Sequence, residues 1–451
     1  MELLIILVFV VGYFAIALEH PIKINKTASA LLTAVICWTI FTVSGATETL
    51  LNSDRYLHFL QELGEKAASL TAGELHLEYV EEQLGHHLVE IAQILFFLMG
   101  AMTIVELVDA HHGFKFITDR IKTKNPVVLL WVVCFVTFFL SSVLDNLTTT
   151  IVMVSLIRKL IPDKEMRMFF AGMIVIAANA GGAWSPIGDV TTTMLWIGGQ
   201  ISAGAIMKSM FIPSIVCAVV PLVFLTFTMK GSLGEFKEDA NATASTIKTG
   251  NLMLALGVGA LISVPIFKTV THLPPYMGML LGLGILWVVS ELLNPNMEEN
   301  EKKQYTATHA LAKIDMPSVL FFLGILLAVG ALQSMGTLAN FAGYLNTTFG
   351  DNRIIITLIG LLSAVVDNVP LVAASMGMYS LEMYPMDDFI WLYLAYCAGT
   401  GGSILIIGSA AGVAAMGMEK IEFGWYLKRI SLLAALGYFA GAGVYLLMSQ
   451  L

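Results

Sequence analysis

The run Ser141-Ser142-Val143-Leu144-Asp145-Asn146-Leu147-Thr148-Thr149-Thr150 decides how this chain is to be read. It sets a carboxylate, an amide and five hydroxyls in the middle of an otherwise apolar segment from Pro126 to Ile157. A carboxylate at the centre of a membrane helix costs about 2.5 to 3.5 kcal/mol on insertion scales, so Asp145 calls for a partner or a ligand. Lys122 and Lys124 precede the segment, and Arg158 and Lys159 follow it. Short cytoplasmic loops carry the Lys and Arg excess, which puts both ends on the cytoplasmic side. Two full crossings need about 40 residues, more than this stretch holds. A re-entrant hairpin over 126–157 satisfies both conditions, and its non-helical tip must be buried in protein or line a wet cavity.

The composition around this segment agrees. Hydrophobic residues make up 57% of the 451 and charged residues 13%, against about 25% charged in soluble domains. Apolar runs near 2–19, 28–45, 88–108, 169–198, 207–229, 251–268, 275–292, 317–335, 389–416 and 430–449 read as ten transmembrane helices. A second apolar segment, 354–378, reads as another hairpin. Met1 to Leu18 lacks a basic leader and a small-residue cleavage site, so it reads as a retained first span. Lys23, Lys26, Lys115, Arg120, Lys428 and Arg429 assign one set of loops to the inside. The acidic 46–87 loop, with room for a surface amphipathic helix, and Glu382, Asp387 and Asp388 fall outside. The second hairpin then enters from the face opposite the first. The expected location is a bacterial inner membrane, multi-pass in the lipid bilayer. The net charge of −9 comes from acidic loops, which removes nucleic acid as a partner. Cys37, Cys134, Cys217 and Cys397 lie in apolar runs and read as buried thiols, not disulfides or zinc ligands.

Three landmarks recur in order. Phe96-Phe97-Leu98 returns at Phe321-Phe322-Leu323, Val143-Leu144-Asp145-Asn146 at Val365-Val366-Asp367-Asn368, and Gly181-Gly182 with Gly188 at Gly401-Gly402 with Gly408, at offsets of 225, 222 and 220. Each half, 1–230 and 231–451, holds five spans and one hairpin. Five is odd, so the repeats are inverted. The expected architecture is an all-α membrane protein of two inverted repeats, with broken helices at 169–198 and 389–416 meeting near the midplane. No Walker-type loop suggests ATP drive, which leaves an ion gradient as the energy source.

Asp145, Asn146, Asp367 and Asn368 are therefore read as an ion-ligating, cation-binding site at the two hairpin tips, with Pro370 forcing the second tip out of helix. The alternative is that the Asp residues only cap broken helices. Asp189, in the broken-helix stretch from Asn179 to Thr193, supplies a further carboxylate without a partner in the second half. Ser142, Thr148, Thr149, Asn179, Ser185, Thr191, Thr400, Ser403 and Ser409 are read as supporting oxygens, because unwound carbonyls with hydroxyls and carboxylates make the oxygen shell a hard cation needs. Glu106, His111 and His112 are candidates for a proton relay or pH sensor, set against plain solvation.

At these residues the sequence resembles the NhaD-type sodium/proton antiporters, within a superfamily that also holds dicarboxylate/sodium symporters and arsenite permeases. The likeness covers essentially the whole chain. It implies a homodimer with a scaffold and a moving transport domain, elevator-like alternating access and no cofactor. Exchange of Na+ or Li+ for H+, serving pH homeostasis, is the expected activity. In the anion-carrying relatives the tips look like Ser-Asn-Thr motifs, whereas here an Asp leads each tip, which repels an anion and suits a cation. A sodium-coupled anion symporter is the alternative of the same fold. An intramembrane aspartyl protease would use two Asp as a dyad, but Pro186 replaces the first glycine of its Gly-x-Gly-Asp signature at Asp189. The chain is read as no enzyme.

Overall fold

The computed structural model describes residues 2–17, 19–115, 123, 125–228, 244–293, 305–365 and 367–450. Arg120, Lys122, Lys124 and Val366 lie outside the described residues, as do the side chains of Asp54, Glu65 and Lys159. The described regular structure is all helical. Eight helices among these residues are long and apolar enough to cross a membrane: Lys26–Ser44, Ala72–Ala110, Pro126–Leu144, Ala203–Phe227, Thr249–Thr271, Pro275–Leu292, Met316–Ser334 and Ser431–Met448. The chain is thus a multi-pass integral membrane protein.

The ten expected spans differ from these eight for local reasons. Glu2–Ala17 has only 16 residues. The 169–198 and 389–416 runs are each interrupted, into Lys164–Gly182 and Val190–Ile197, and into Phe389–Gly401 and Ala410–Glu419. Conversely, Pro126–Leu144, expected as half of a hairpin, by itself has the length of a span.

The acidic 46–87 segment is not a loop throughout. Ser53 caps an amphipathic helix, Asp54–Leu63. Thr71 and Glu74 then form a reciprocal cap, with the Thr71 N–H donating to Glu74 Oε2 at 2.8 Å and the Glu74 N–H to Thr71 Oγ1 at 3.3 Å. That capping box starts a continuous 39-residue helix, Ala72–Ala110. The expected third span is its C-terminal half.

The chain forms two compact units, each drawing on both halves of the sequence. One contains residues 1–95, 315–355 and 369–385. Its core gathers Ile5, Cys37, Trp38, Phe41, Tyr56, Phe59, Tyr79 and Met335. Gly324 sits against the Ala30 backbone, where a Cβ would come within 2.8 Å, so Met316–Ser334 and Lys26–Ser44 pack at close range. Trp38 Nε1 donates to Leu327 O at 2.8 Å, and Tyr79 Oη to Ser334 O at 2.8 Å. Each gives a buried polar tip its acceptor.

The other unit contains residues 96–314, 356–368 and 386–451. Its core joins Leu129, Leu130, Val133 and Cys134 of Pro126–Leu144 with Met153, Val154, Leu156 and Ile157 of Asn146–Leu160. Ile174, Ile176, Ile406, Ala415 and Tyr426 complete the same cluster. The two arms of the first hairpin therefore share one apolar core around Lys164–Gly182. All four cysteines are free and buried.

Candidate ion-binding site

Two helix breaks and two unwound stretches, all within the second unit, build the site. At the first break Asp145 takes φ 81° and ψ 160°, a conformation outside the left-handed helical region that residues other than glycine rarely adopt. Its carboxylate caps the next helix. Thr148 N–H donates to Oδ1 and Thr148 Oγ1 to Oδ2, both at 2.8 Å. The second break lies between Leu362 and Asn368, which opens the helix Asn368–Met378.

The unwound stretches are 183–189 and 402–409. Glycine is required at the helix end before each. A Cβ on Gly181 would meet Phe138 O at 2.2 Å, and one on Gly401 would meet Gly360 O at 2.0 Å. Ser141 Oγ donates to Ala178 O at 2.6 Å and Ser363 Oγ to Ala398 O at 2.8 Å. These contacts recur at the sequence offsets of 220 and 222. Each half builds the same local joint between a helix break and an unwound stretch.

Where the two halves differ, they differ in chemistry. Asp189 and Ser409 occupy matching positions, each the N-cap of the second half-helix. Asp189 Oδ1 accepts from Thr191 N–H and Thr191 Oγ1, both at 2.9 Å. Ser409 Oγ accepts from Gly412 N–H at 3.2 Å. One half thus presents a buried carboxylate and the other a hydroxyl.

Asp189, 2% exposed, is the convergence point. Asn146 Nδ2 donates to its Oδ2 at 2.7 Å, and Asn368 Nδ2 reaches both carboxylate oxygens at 3.4 Å. Asn146 Nδ2 also donates to Asn179 Oδ1 at 3.0 Å. Asn179 Nδ2 in turn donates to Ser403 Oγ and Ser409 Oγ, both at 2.9 Å. The negative charges of Asp145 and Asp367 both bear on Asp189. An unbroken hydrogen-bonded chain therefore runs from one hairpin tip through both unwound stretches, with a carboxylate shared by the two tips.

The expected site residues divide accordingly. Asn146, Asn368, Asp189, Asn179, Thr191, Ser403 and Ser409 are brought together. Asp145 and Thr148 cap their own helix. Ser142 Oγ and Thr400 Oγ1 donate to Phe139 O and Tyr396 O in their own helices, and Ser185 Oγ accepts from Ile187 N–H at 3.4 Å. Thr149 Oγ1 is buried without a hydrogen-bond partner. Glu106 pairs with Lys313 at 3.1 Å. The buried His111 ring bonds Leu107 O through Nδ1 at 2.9 Å, and burial holds it below the usual imidazole range. His112, exposed with φ 58°, follows in the turn. None of these three bonds to the Asp189 chain.

Sequence reasoning passed over three charged contacts. Lys268 Nζ donates to Trp196 O at 3.1 Å and lies 4.7 Å from the Trp196 ring centroid, closing the far end of Val190–Ile197. Glu419, 3% exposed, receives Arg158 and Arg167. A charge at or just past the end of an apolar run was the available signal for Lys268 and Glu419; their partners lie far away in the chain.

Helices broken around buried polar groups, in a chain of many spans, define an integral membrane protein built for ion transport. The chain belongs to the citrate transporter family, CitMHS, which it matches over residues 6–399. It is 48% identical to sodium/proton antiporter 1 of Arabidopsis thaliana over 446 residues, 99% of this chain and 72% of that protein. With sodium/proton antiporter 2 of the same plant it shares 45% over 443 residues, 98% of each. The Na(+)/H(+) antiporter NhaD of Vibrio cholerae is 29% identical over 474 residues, 99% of this chain and 91% of that protein. The resemblance to NhaD-type antiporters expected from the hairpin tips therefore extends along the chain.

Proposed function

We propose that this protein exchanges Na+ or Li+ for H+ across its membrane, and that Asp189 is the carboxylate at which the two ions compete. The observation that carries the reading is the convergence of Asn146 and Asn368, one from each hairpin tip, on buried Asp189. Burial favours the neutral acid and an arriving cation favours the carboxylate, so proton and sodium oppose each other at the same oxygens. Exchange follows from that competition. The hydroxyls of Ser403 and Ser409 and the Asn179 amide complete an oxygen-rich lining suited to a hard cation.

This reading moves the centre from Asp145 and Asp367 to Asp189 and leaves the tip carboxylates to set the field. Relatives named sodium/proton antiporters at 45 and 48% identity support it. The family description favours citrate instead, but three carboxylates bearing on one site repel a polyanion. Inverted repeats, elevator-type access, a homodimer and a bacterial inner membrane belong to the same proposal. They rest on the repeat, on the loop charges and on the resemblance.

Purified protein in proteoliposomes with a pH-sensitive dye tests the reading. Na+ or Li+ pulses are expected to move protons, K+ and citrate to move none, and the apparent sodium constant to weaken as pH falls. Proton movement driven by citrate, or a sodium constant independent of pH, overturns it.

A further inference from the structure

The first hairpin's outbound arm, Asn146–Leu160, packs along Ala410–Glu419 of the second broken helix. The two helices are joined at both ends. At the site, Asn179 bridges them, accepting from Asn146 Nδ2 at 3.0 Å and donating to Ser409 Oγ at 2.9 Å. At the far end Arg158 Nε donates to Glu419 Oε1 at 2.7 Å, and Arg167 Nε to Oε2 at 3.0 Å. Arg167 Nη1 also donates to Ile161 O at 2.9 Å and Pro162 O at 2.8 Å, fastening the turn that follows the arm. A helical rise of about 1.5 Å per residue makes Asn146 to Arg158 about 18 Å and Ser409 to Glu419 about 15 Å, so the spans match.

We propose that Glu419 is a positioning residue for ion exchange: with Arg158 and Arg167 it fixes the axial register of the first hairpin, and so keeps Asn146 on Asp189 and Asn179. The inference rests on the site reading given above. Apolar packing between Met153, Val154, Ile157, Ala411 and Ala415 holds the helices together but is non-directional and tolerates sliding. A buried carboxylate between two guanidiniums does not, because charge-assisted bonds are short and geometrically specific. Hydrogen bonds such as Asn146–Asp189 fail within a few tenths of an ångström of their range. At the repeat's offsets the positions matching Arg158, Arg167 and Glu419 are Ser380, Asp387 and Gly199; Asp387 there accepts from Ser202 N–H, so the ion cluster, though not every contact between these segments, belongs to the first hairpin alone.

The test uses full-length protein in proteoliposomes, the wild type being measured first; its failure to exchange Na+ for H+ would sink the functional reading and this inference with it, whereas the variants bear on this inference alone. In Glu419→Gln the apparent sodium constant is expected to rise about tenfold while the maximal rate stays within about twofold, the signature of a displaced ligand bond. A second protein carries Arg158→Cys and Glu419→Cys with the four native cysteines replaced. It is expected to bind sodium weakly as made and to regain the wild-type constant once a short bismaleimide joins the two positions. An unchanged sodium constant in Glu419→Gln, or a cross-link that arrests exchange or leaves the constant weak, overturns the proposal. The cross-linked pair decides the matter if Glu419→Gln does not fold.

Discussion

At the scale of single residues, the difference between Asp145 and Asp189 is one of hydrogen bonding. Both carboxylates cap helices, but Asp145 accepts from Thr148 of its own helix, whereas Asp189 also receives amides from both tips. Asp189→Asn keeps the shape and loses the titratable charge. Exchange is expected to drop to about a hundredth of wild type or less, the scale of about 3 kcal/mol for a lost interaction with a charge. Asp145→Asn retains a capping oxygen and is expected to keep measurable exchange with a weakened sodium constant. Dye-monitored exchange ranks the two, and an order opposite to this returns the coupling role to Asp145. Asn146→Ala and Asn368→Ala each remove one donor to Asp189, and a sodium constant raised by about tenfold is the expected result. Unchanged constants in both would reduce these amides to caps.

At the scale of elements, glycines set how closely the broken helices approach the hairpins. Gly181→Ala and Gly401→Ala force a Cβ onto carbonyl oxygens that are backbone and cannot swing aside. Each is expected to lower stability by about 1 to 3 kcal/mol, the usual cost of overpacking. Gly417, inside Ala410–Glu419, has nothing within 4 Å of a built Cβ. Gly417→Ala should stabilise by about 0.5 to 1 kcal/mol, since only helix propensity changes. Thermal unfolding in detergent reads both signs, and equal shifts at the three positions would contradict the packing described. Element boundaries were partly legible before the structure. Both interruptions were announced by paired glycines with Ser or Pro, because such residues weaken a helix whatever surrounds them. The long Ala72–Ala110 helix was not, since its acidic N-terminal half reads as loop until the Thr71–Glu74 cap is recognised.

At the scale of the whole molecule, the proposed inverted repeat makes a prediction about topology. Lys164, after the first hairpin, and Glu382, after the second, are both exposed. Cysteines at these two positions are expected to react with an impermeant maleimide from opposite sides, Lys164→Cys from the cytoplasmic side. Labelling from one side only would remove the inversion.

The sequence by itself determined the membrane class, the two helix breaks, the unwound stretches and the polar residues that gather around Asp189. Those follow from local rules: hydropathy over a span's length, the cost of a charge in hydrocarbon and the intolerance of helices for Gly and Pro. Only the tertiary structure decided which carboxylate those polar residues serve. Asn146, Asn179, Asp189, Asn368 and Ser409 are scattered over more than half the chain, and no local rule states that two hairpin amides end on Asp189 or that Asn179 reaches Ser409. The same holds for Glu419, whose charge was visible but whose partners, Arg158 and Arg167, stand about 250 residues earlier. Pairings of that kind are set by how helices pack, and packing is a property of the whole fold.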